Sequence, residues 1–469
     1  MFKLYSFLAH LAFFSSISCN NVDSENIEIV EDLNIHKDSI DAINRDTRVI
    51  TPDGSENYLN FGSEYIFDQE SLHTFDLILS EENLNLINRD PAAEEYVEGM
   101  LIFENDTISP VGIRYKGSIG AFVGCLDGPN MFEPSGAKIC TKLSMKVKIN
   151  WEGRKEKFFG LKKLQFHSMN NDASQMHDRV GYWLFRQMGI PAPRAVHAKL
   201  TINGIYTGLY SLVEQIDSRF IKENFDDNKG NLYKEIWPLT STGVPYPVDD
   251  YIKALKTNEN NNPNVELIRG FGQKIANANE KDLQQIITKH MNIDEIISYA
   301  VVDRIIRNDD GAFHWYCEGN RCYNHNYYWY EEPSTAQLHL IPWDLDNAFE
   351  NILFSANPVT PIADQWGSIR KNCRPFAYGA WGLRQRSATC DKLTRGWTKF
   401  TATYESLKTQ FINGPLSTTQ IDQHIDLWVT QISDAHTEAS NLHEDVQNEE
   451  SWINEINLLK AQLAKARQN

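Results

Sequence analysis

An α+β fold in two parts, β-rich first and mainly helical after it, is what the sequence predicts, on three observations. Gly112-Ile-Arg-Tyr-Lys and Leu143-Ser-Met-Lys-Val-Lys-Ile alternate at period 2, as half-buried strands do. Asn203-Gly204 lies between the apolar runs 198–202 and 208–214, and Asn-Gly supplies the positive φ angles of a tight hairpin turn. From 216 to 300 the pattern turns mostly helical, interrupted by an Asn-rich loop at 258–264. A chain of 469 residues is about three times the ~150-residue domain prior, so two lobes fit its length.

The first segment is set aside from fold reasoning. Met1-Phe2-Lys3 precedes an apolar run from Leu4 to Ile17, shorter than the roughly 20 residues a bilayer core requires. It reads as a secretory signal, residues 1–19. Ser16-Ile17-Ser18-Cys19 resembles a bacterial lipobox, which makes Cys19 the lipidation site. The competing reading is ordinary cleavage nearby. Residues 20–68 are acidic, Asn/Asp-rich and poor in aromatics, as expected of a flexible tether.

The folded body starts near Phe75. Thr74–Leu79 reads as a strand, and Ser80 caps the acidic helix start that follows it. In the strand at 143–149, Lys142, Ser144, Lys146 and Lys148 share one face and the apolar residues share the other. Met176, Val180, Trp183, Leu184 and Met188 recur at helical spacing, so a helix is expected over about 172–188, stopped by Gly189-Ile-Pro-Ala-Pro. Another helix spans about 293–306, then come an Asp/Asn/His/Tyr-rich loop and the apolar strand Gln337-Leu-His-Leu-Ile-Pro. The tail from Thr418 is helical and charged. No internal repeat or low-complexity tract occurs.

Composition narrows the function. Lys plus Arg is 45 against 63 Asp plus Glu, a net charge of −18, which argues against nucleic acid as partner. Apart from Cys19 there are six cysteines, in three local couples: Cys125 with Cys140, Cys317 with Cys322 and Cys373 with Cys390. Neighbour pairing is the simplest connectivity for an exported protein. No Cys-x-x-Cys occurs and the intervals make no zinc finger or ribbon.

Carboxylates concentrate in loops between Asp303 and Asp346: Asn308-Asp309-Asp310, then Asn326, then Asp344 and Asp346 behind the apolar strand. Such oxygen donors suit Mg²⁺ or Mn²⁺, whereas loop capping and Asx turns would use the same residues structurally. Arg114, Lys116, Lys142, Lys146 and Lys148 stud two strands that can pair. Their functional reading is phosphate binding and their plain reading is a solvated sheet face. Lysines on strands with a later acidic metal site follow the division of labour of kinases. The common signatures are absent: there is no G-x-G-x-x-G-x-V, H-R-D or D-F-G.

In this order the residues resemble the CotH kinase family, named for spore coat protein H. The resemblance covers about residues 74 to 350. It runs through Arg114-Tyr-Lys-Gly-Ser118, the Lys142/Ser144/Lys146/Lys148 strand, Phe159-Gly-Leu-Lys-Lys-Leu, and Asp172-x-Ser174 leading to Arg179. It continues in Gly189-Ile-Pro-Ala-Pro-Arg194, the hairpin from Ile202 to Glu214, Gly230-Asn-Leu-Tyr-Lys234, His325-Asn-Tyr-Tyr and Ile341-Pro-Trp-Asp-Leu-Asp346.

The resemblance implies a bilobal atypical protein-kinase-like fold: an N-lobe at 69–215, a C-lobe at 216–412 and a C-terminal helical extension at 413–469. It implies ATP with Mg²⁺ or Mn²⁺, and transfer to Ser/Thr hydroxyls of an acceptor protein at the bacterial cell envelope, where the N-terminal lipid would hold the chain to a membrane. Asp310 would orient or deprotonate the acceptor hydroxyl. Asn326 and Asp344 would hold the metal with Asp346 in support. Arg114, Lys116 and one of Lys142, Lys146 and Lys148 would face phosphate. Glu214 would mark the adenine hinge, and Asp178 is expected either to partner the lysine or to form a surface salt bridge. Two departures stand out. An insertion carries the chain from Gly117-Ser-Ile-Gly120 to Cys140 and is expected over the phosphates. The interval from Asp310 to Asn326 exceeds a kinase catalytic loop and depends on Cys317 and Cys322 to pinch off the excess. The alternatives are a non-catalytic surface lipoprotein or pseudokinase scaffold, and a metal-dependent carbohydrate-active enzyme.

Overall fold

In the computed structural model, residues 62–468 are described apart from 105, 119, 130–132, 262, 320, 354–372 and 379–381. The signal segment, Cys19 and the tether up to residue 61 lie outside the described residues. No described helix is long and apolar enough to cross a membrane.

The first part is a seven-stranded closed barrel. Its elements are β1 (His73–Ile78), α1 (Glu81–Arg89), β2 (Val97–Phe103), β3 (Asp106–Tyr115), β4 (Met145–Lys148), β5 (Lys163–His167), α2 (His177–Gln187), β6 (Ala195–Ile202) and β7 (Ile205–Val213). The strand order is β1-β2-β3-β4-β5-β7-β6, closed by the parallel pairing of β6 with β1. Alternation sets which side chains fill it: Met145 and Val147 of β4 point inward to a core with Phe75, Phe103, Phe158 and Phe166, leaving Lys146 and Lys148 on the outer wall. The hairpin turn has φ +50° at Asn203 and +79° at Gly204, as the sequence predicted. The Asn203 amide also ties β1 down, accepting from Leu79 N–H at 2.8 Å and donating to Leu79 O at 3.0 Å.

Ser80 caps α1 by accepting from Asn83 N–H. Helix α2 starts at His177 rather than near 172, because Asp172 draws the preceding residues into a turn. Its carboxylate accepts from Ser174 Oγ at 2.6 Å, Gln175 N–H at 3.0 Å and His177 N–H at 2.7 Å.

The remainder holds α3 (Ser218–Asn224), β8 (Leu232–Lys234), α4 (Val248–Ala254), α5 (Glu266–Asn277), α6 (Leu283–His290), α7 (Ile293–Ile305), β9 (Trp315–Glu318), β10 (Arg321–Tyr323), β11 (Tyr327–Glu332) and β12 (Gln337–Pro342). After them come β13 (Phe376–Tyr378), β14 (Leu383–Arg386), α8 (Lys392–Trp397), α9 (Thr401–Asn413), α10 (Gln423–Leu442) and α11 (Glu449–Ala466). Two small sheets, β12-β11-β8 and β10-β9-β14-β13, sit among the helices. The second core gathers Trp237, Trp315, Trp329 and Trp397, with the Trp237 ring 5.3–5.9 Å from the other three. All three local cysteine couples are disulfide-bonded.

The tail helices reach across to the barrel. Tyr206 donates to Ala435 O at 3.0 Å, Thr141 N–H donates to Asp445 at 2.7 Å, and Trp452 Nε1 donates to Ser174 O at 2.9 Å.

Candidate functional site

The site is built on the outer wall of the barrel, where β3, β4 and β5 lie side by side. Register places Arg114 beside Lys146 and Lys146 beside Gln165. Arg114 is answered by Glu94 at 2.6 Å. Lys146 has no anionic partner among the described residues: burial, then crowding by Lys116, Lys163 and Arg114, pushes its ammonium down to about 6.

Lys116, just past β3, donates to His167 Nε2 at 2.7 Å, and His167 Nδ1 meets Asp178 Oδ2 at 3.0 Å. Burial pushes Lys116 down to about 8, while the charges of Asp344 and Asp178 pull it back up. Asp178 is buried on α2. Burial opposes its charge, yet the hydrogen bond from His167 and the charge of Lys116 hold it below the usual carboxylate range. The expected acidic partner of the lysine is thus linked to it through a ring, and it is not a surface salt bridge.

Opposite stand the carboxylates that follow β12. Asp344 sits at φ +58°, a left-handed turn that Asp tolerates, with its N–H donating to Tyr182 Oη at 3.0 Å. Burial raises its pKa, the nearby Asp178 and Asp310 raise it further, and the charge of Lys116 opposes. Asp346 is raised well above its usual range by burial, then by Asp344, Asp178 and Asp310. Leu345 lies between them and packs on Gly181 of α2. A Cβ there would stand 2.7 Å from Leu345 Cδ1, so this glycine permits the close approach.

Asp310 completes the cleft. Its Oδ1 accepts from Tyr316 Oη at 2.6 Å and from His325 Nε2 at 2.9 Å. Asn326 Nδ2 donates to Asp310 O at 3.0 Å and Oδ2 at 3.1 Å. Burial opposes a charged His325, but the charge and hydrogen bond of Asp310 raise it to about 9. The long interval between Asp310 and Asn326 is taken up by the β9–β10 hairpin, in which Cys317 pairs with Cys322, and the chain comes back to Asp310.

Among the described residues no group of three or more His, Cys, Asp and Glu converges to hold a metal by itself. Asp344 and Asp346 still fit a divalent cation chemically. They are half-buried hard-oxygen donors with raised pKa values, and the carboxylate of Asp344 accepts no hydrogen bond among the described residues. Two carboxylates with the remaining positions left to phosphate and water is a usual way of holding Mg²⁺.

Several expectations are corrected. Lys142 does not share the face of Lys146, because β4 begins only at Met145. Its ammonium turns instead to Leu209 O at 2.7 Å, on the side of the tail helices. Lys148 lies over the rings of Tyr96 and Trp151 at the far end of the strand. The carboxylate of Glu214 is engaged by Arg194, whose Nη2 and Nε donate to it at 2.6 and 3.0 Å. The insertion divides. Asn171 Nδ2 bridges Gly120 O at 3.3 Å and Asp346 Oδ2 at 3.4 Å, but Lys138 N–H goes to Asn88 O and Thr141 to Asp445, away from the cleft. The stretch from 216 is less helical than expected because β8 pairs with β11.

Sequence reasoning assigned no role to His167, Lys234, His325 or Tyr316. Lys234 and His325 stood inside quoted motifs, which was their one signal. Lys234 neighbours Glu235 at 3.4 Å, its charge reaches Lys116, and Glu235 accepts from Asn326 N–H at 3.3 Å.

Cations on a barrel wall facing paired carboxylates, with a held Asp beside them, point to a kinase-type class. The family model described as CotH kinase protein matches residues 113–469, about three quarters of the chain, and the chain belongs to that family. It is similar to the inner spore coat protein H of Bacillus subtilis (strain 168), 22% identical over 200 residues, covering 40% of this chain and 50% of the relative. The chain thus spans about half the length of that curated relative. A chain of the Shewanella oneidensis MR-1 toxin–antitoxin complex of HipA, HipB and operator DNA matches at 12% identity, covering 88% of this chain and 86% of its own, with a TM-score of 0.32, too low to bear on the fold.

Proposed function

We propose that this chain is an exported, bilobal CotH-type protein kinase that transfers the γ-phosphate of ATP to Ser/Thr hydroxyls of an extracytoplasmic protein. The observation that carries the reading is Lys116, beside Lys146 and within reach of the Asp344 charge, with Asp346 next to Asp344 and Asp310 held nearby by Asn326 and His325. Three disulfides and the spore coat relative support export. Anchoring through a lipid on Cys19 belongs to the same proposal.

Lys116 and Lys146 bind phosphate oxygens, and Arg114 adds charge at the rim. Asp344, Asp346 and the Asn326 side-chain oxygen would hold Mg²⁺ or Mn²⁺, which supplies charge neutralisation on the phosphates. Asp310 orients the acceptor hydroxyl and takes its proton as the hydroxyl oxygen bonds to γ-phosphorus and the bond to the β–γ bridging oxygen of ATP breaks. The His325 ring and the Tyr316 hydroxyl, both bonded to its Oδ1, hold the Asp310 carboxylate in place for that task. The protein's contribution is alignment and charge.

The test is phosphotransfer by the purified protein from labelled ATP with Mg²⁺ or Mn²⁺, to itself and to a generic basic protein, beside Asp344→Asn. Transfer abolished by the substitution supports the kinase. Nucleotide binding without transfer turns the reading to a pseudokinase scaffold, and neither binding nor transfer rejects it.

A further inference from the structure

Lys116 carries its charge into the cleft without touching a carboxylate. In protein kinases the corresponding lysine is held by a direct ion pair with a Glu. Here the hydrogen bonds run through an imidazole: Lys116 Nζ to His167 Nε2 at 2.7 Å, and His167 Nδ1 to Asp178 Oδ2 at 3.0 Å. An ammonium only donates and a carboxylate only accepts, so the ring must carry its proton on Nδ1 and accept at Nε2. The His167 and Asp178 side chains are 9% and 5% exposed, so water does not compete for either bond. Trp343, the residue before Asp344, fixes the pair: its ring meets His167 edge-on at 5.7 Å, and Lys116 Nζ lies 5.6 Å from its centroid.

We propose that His167 is a positioning residue that relays Asp178 to Lys116 and thereby holds the ammonium against nucleotide phosphate. This rests on the kinase reading. Two consequences separate the relay from a direct ion pair. The imidazole occupies one of the three N–H donors of Lys116 and leaves two for phosphate oxygens. It also keeps the Asp178 charge one ring further from those oxygens, which lessens repulsion where Asp344 already faces Lys116. The other charges reaching Lys116, those of Lys234 and Glu94, come from β8 and the loop before β2 and differ in sign.

The experiment compares ATP affinity by calorimetry and the ATP KM and kcat of wild type, His167→Leu, Asp178→Asn and the double variant H167E/D178N, each checked for folding by its thermal melt. His167→Leu, with neither donor nor acceptor, breaks the relay and should raise Kd and KM about tenfold, the equivalent of one charge-assisted hydrogen bond, with a smaller change in kcat, because phosphate is held in ground and transition states alike. The double variant replaces the relay by a direct Glu–Lys pair with a neutral amide behind it, and should return Kd to within about threefold of wild type. The imidazole nitrogens of His167 give an independent readout. Their ¹⁵N shifts should show Nδ1–H with Nε2 accepting, and Lys116→Met should move Nε2 alone. Unchanged ATP affinity in a folded His167→Leu, no recovery in a folded double variant, or a protonated Nε2 in wild type would overturn the relay while leaving the kinase reading in place. Failure of wild type to bind ATP at all overturns both.

Discussion

Lys146 offers the sharpest quantitative test, because its surroundings oppose its charge. Burial and the neighbouring Lys116, Lys163 and Arg114 push it down to about 6, so at pH 7.5 roughly one molecule in thirty carries the proton. Lys116, pushed down to about 8, is about three-quarters charged at the same pH. A polyphosphate laid on this wall supplies the missing anion and draws both to the charged form. Binding of Mg²⁺·ADP at pH 7.5 should therefore take up about 1.2 protons per site, about four fifths of it by Lys146. The sign follows: the free protein binds fewer protons than the complex, so affinity falls as pH rises from about 6.5 to 8, by close to tenfold per pH unit. The assay is titration calorimetry in buffers of different ionisation enthalpy. Lys146→Arg keeps the charge without a titrating group and should cut the uptake to about a quarter of a proton or less. Uptake near zero in wild type, or uptake unchanged in Lys146→Arg, would refute the placement of Lys146 against phosphate.

Asp344→Asn should stabilise the metal-free protein, because it removes a half-buried charge whose pKa is raised above that of the unfolded chain. In wild type that charge lowers stability as pH rises from the unfolded carboxylate value through the raised one, and the isosteric amide lacks the penalty. A higher Tm is expected without metal, and Mn²⁺ should raise the wild-type Tm but not that of the variant; a lower Tm for the variant contradicts the electrostatics. Cys317→Ser with Cys322→Ser releases a five-residue loop, for which closure entropy gives about 2 kcal/mol. Phosphotransfer should fall more steeply than stability, because that hairpin returns Asn326 to Asp310; activity retained after the measured loss of stability argues against the role of the hairpin.

What the sequence made legible was local. Asn203-Gly204 specifies its own turn, Ser80 its own cap, and Cys317 and Cys322 their own closure, since each depends on residues within a few positions. Asp344 was legible for a similar reason, as a carboxylate at the end of an apolar strand. Lys142 misled because period 2 holds only while the chain is a strand, and β4 starts three residues later. β8 has three residues, too few to display a period, and exists because β11 pairs with it. Glu214 reads as the hinge, and its partner Arg194, 20 positions back at the entrance of the neighbouring strand, was not legible in the sequence. His167 was silent because the charged residues near it in sequence, Lys163 and Asp172, are not the ones it joins. Lys116 is 51 positions before it and Asp178 11 after it.

The neighbouring carboxylates Asp309 and Asp310 show how the fold separates support from function. Asp309 is buried, pairs with Arg307 at 3.2 Å and receives Asn351 at 3.3 Å, and burial raises it to about 7. Asp310 turns the other way, toward the cleft, with a charged His325 beside it. Across the cleft both walls are held against their own charge: Lys116 and Lys146 are pushed down and Asp344 and Asp346 are pushed up. The two walls do not neutralise one another directly, since the Lys116 bond goes to His167 and Lys146 has no anionic partner among the described residues. A ligand that is anionic toward the lysines and cationic toward the aspartates relieves both penalties at once, and a nucleotide polyphosphate with its divalent cation has that distribution. Either half alone relieves one wall, so nucleotide and metal should each tighten the binding of the other.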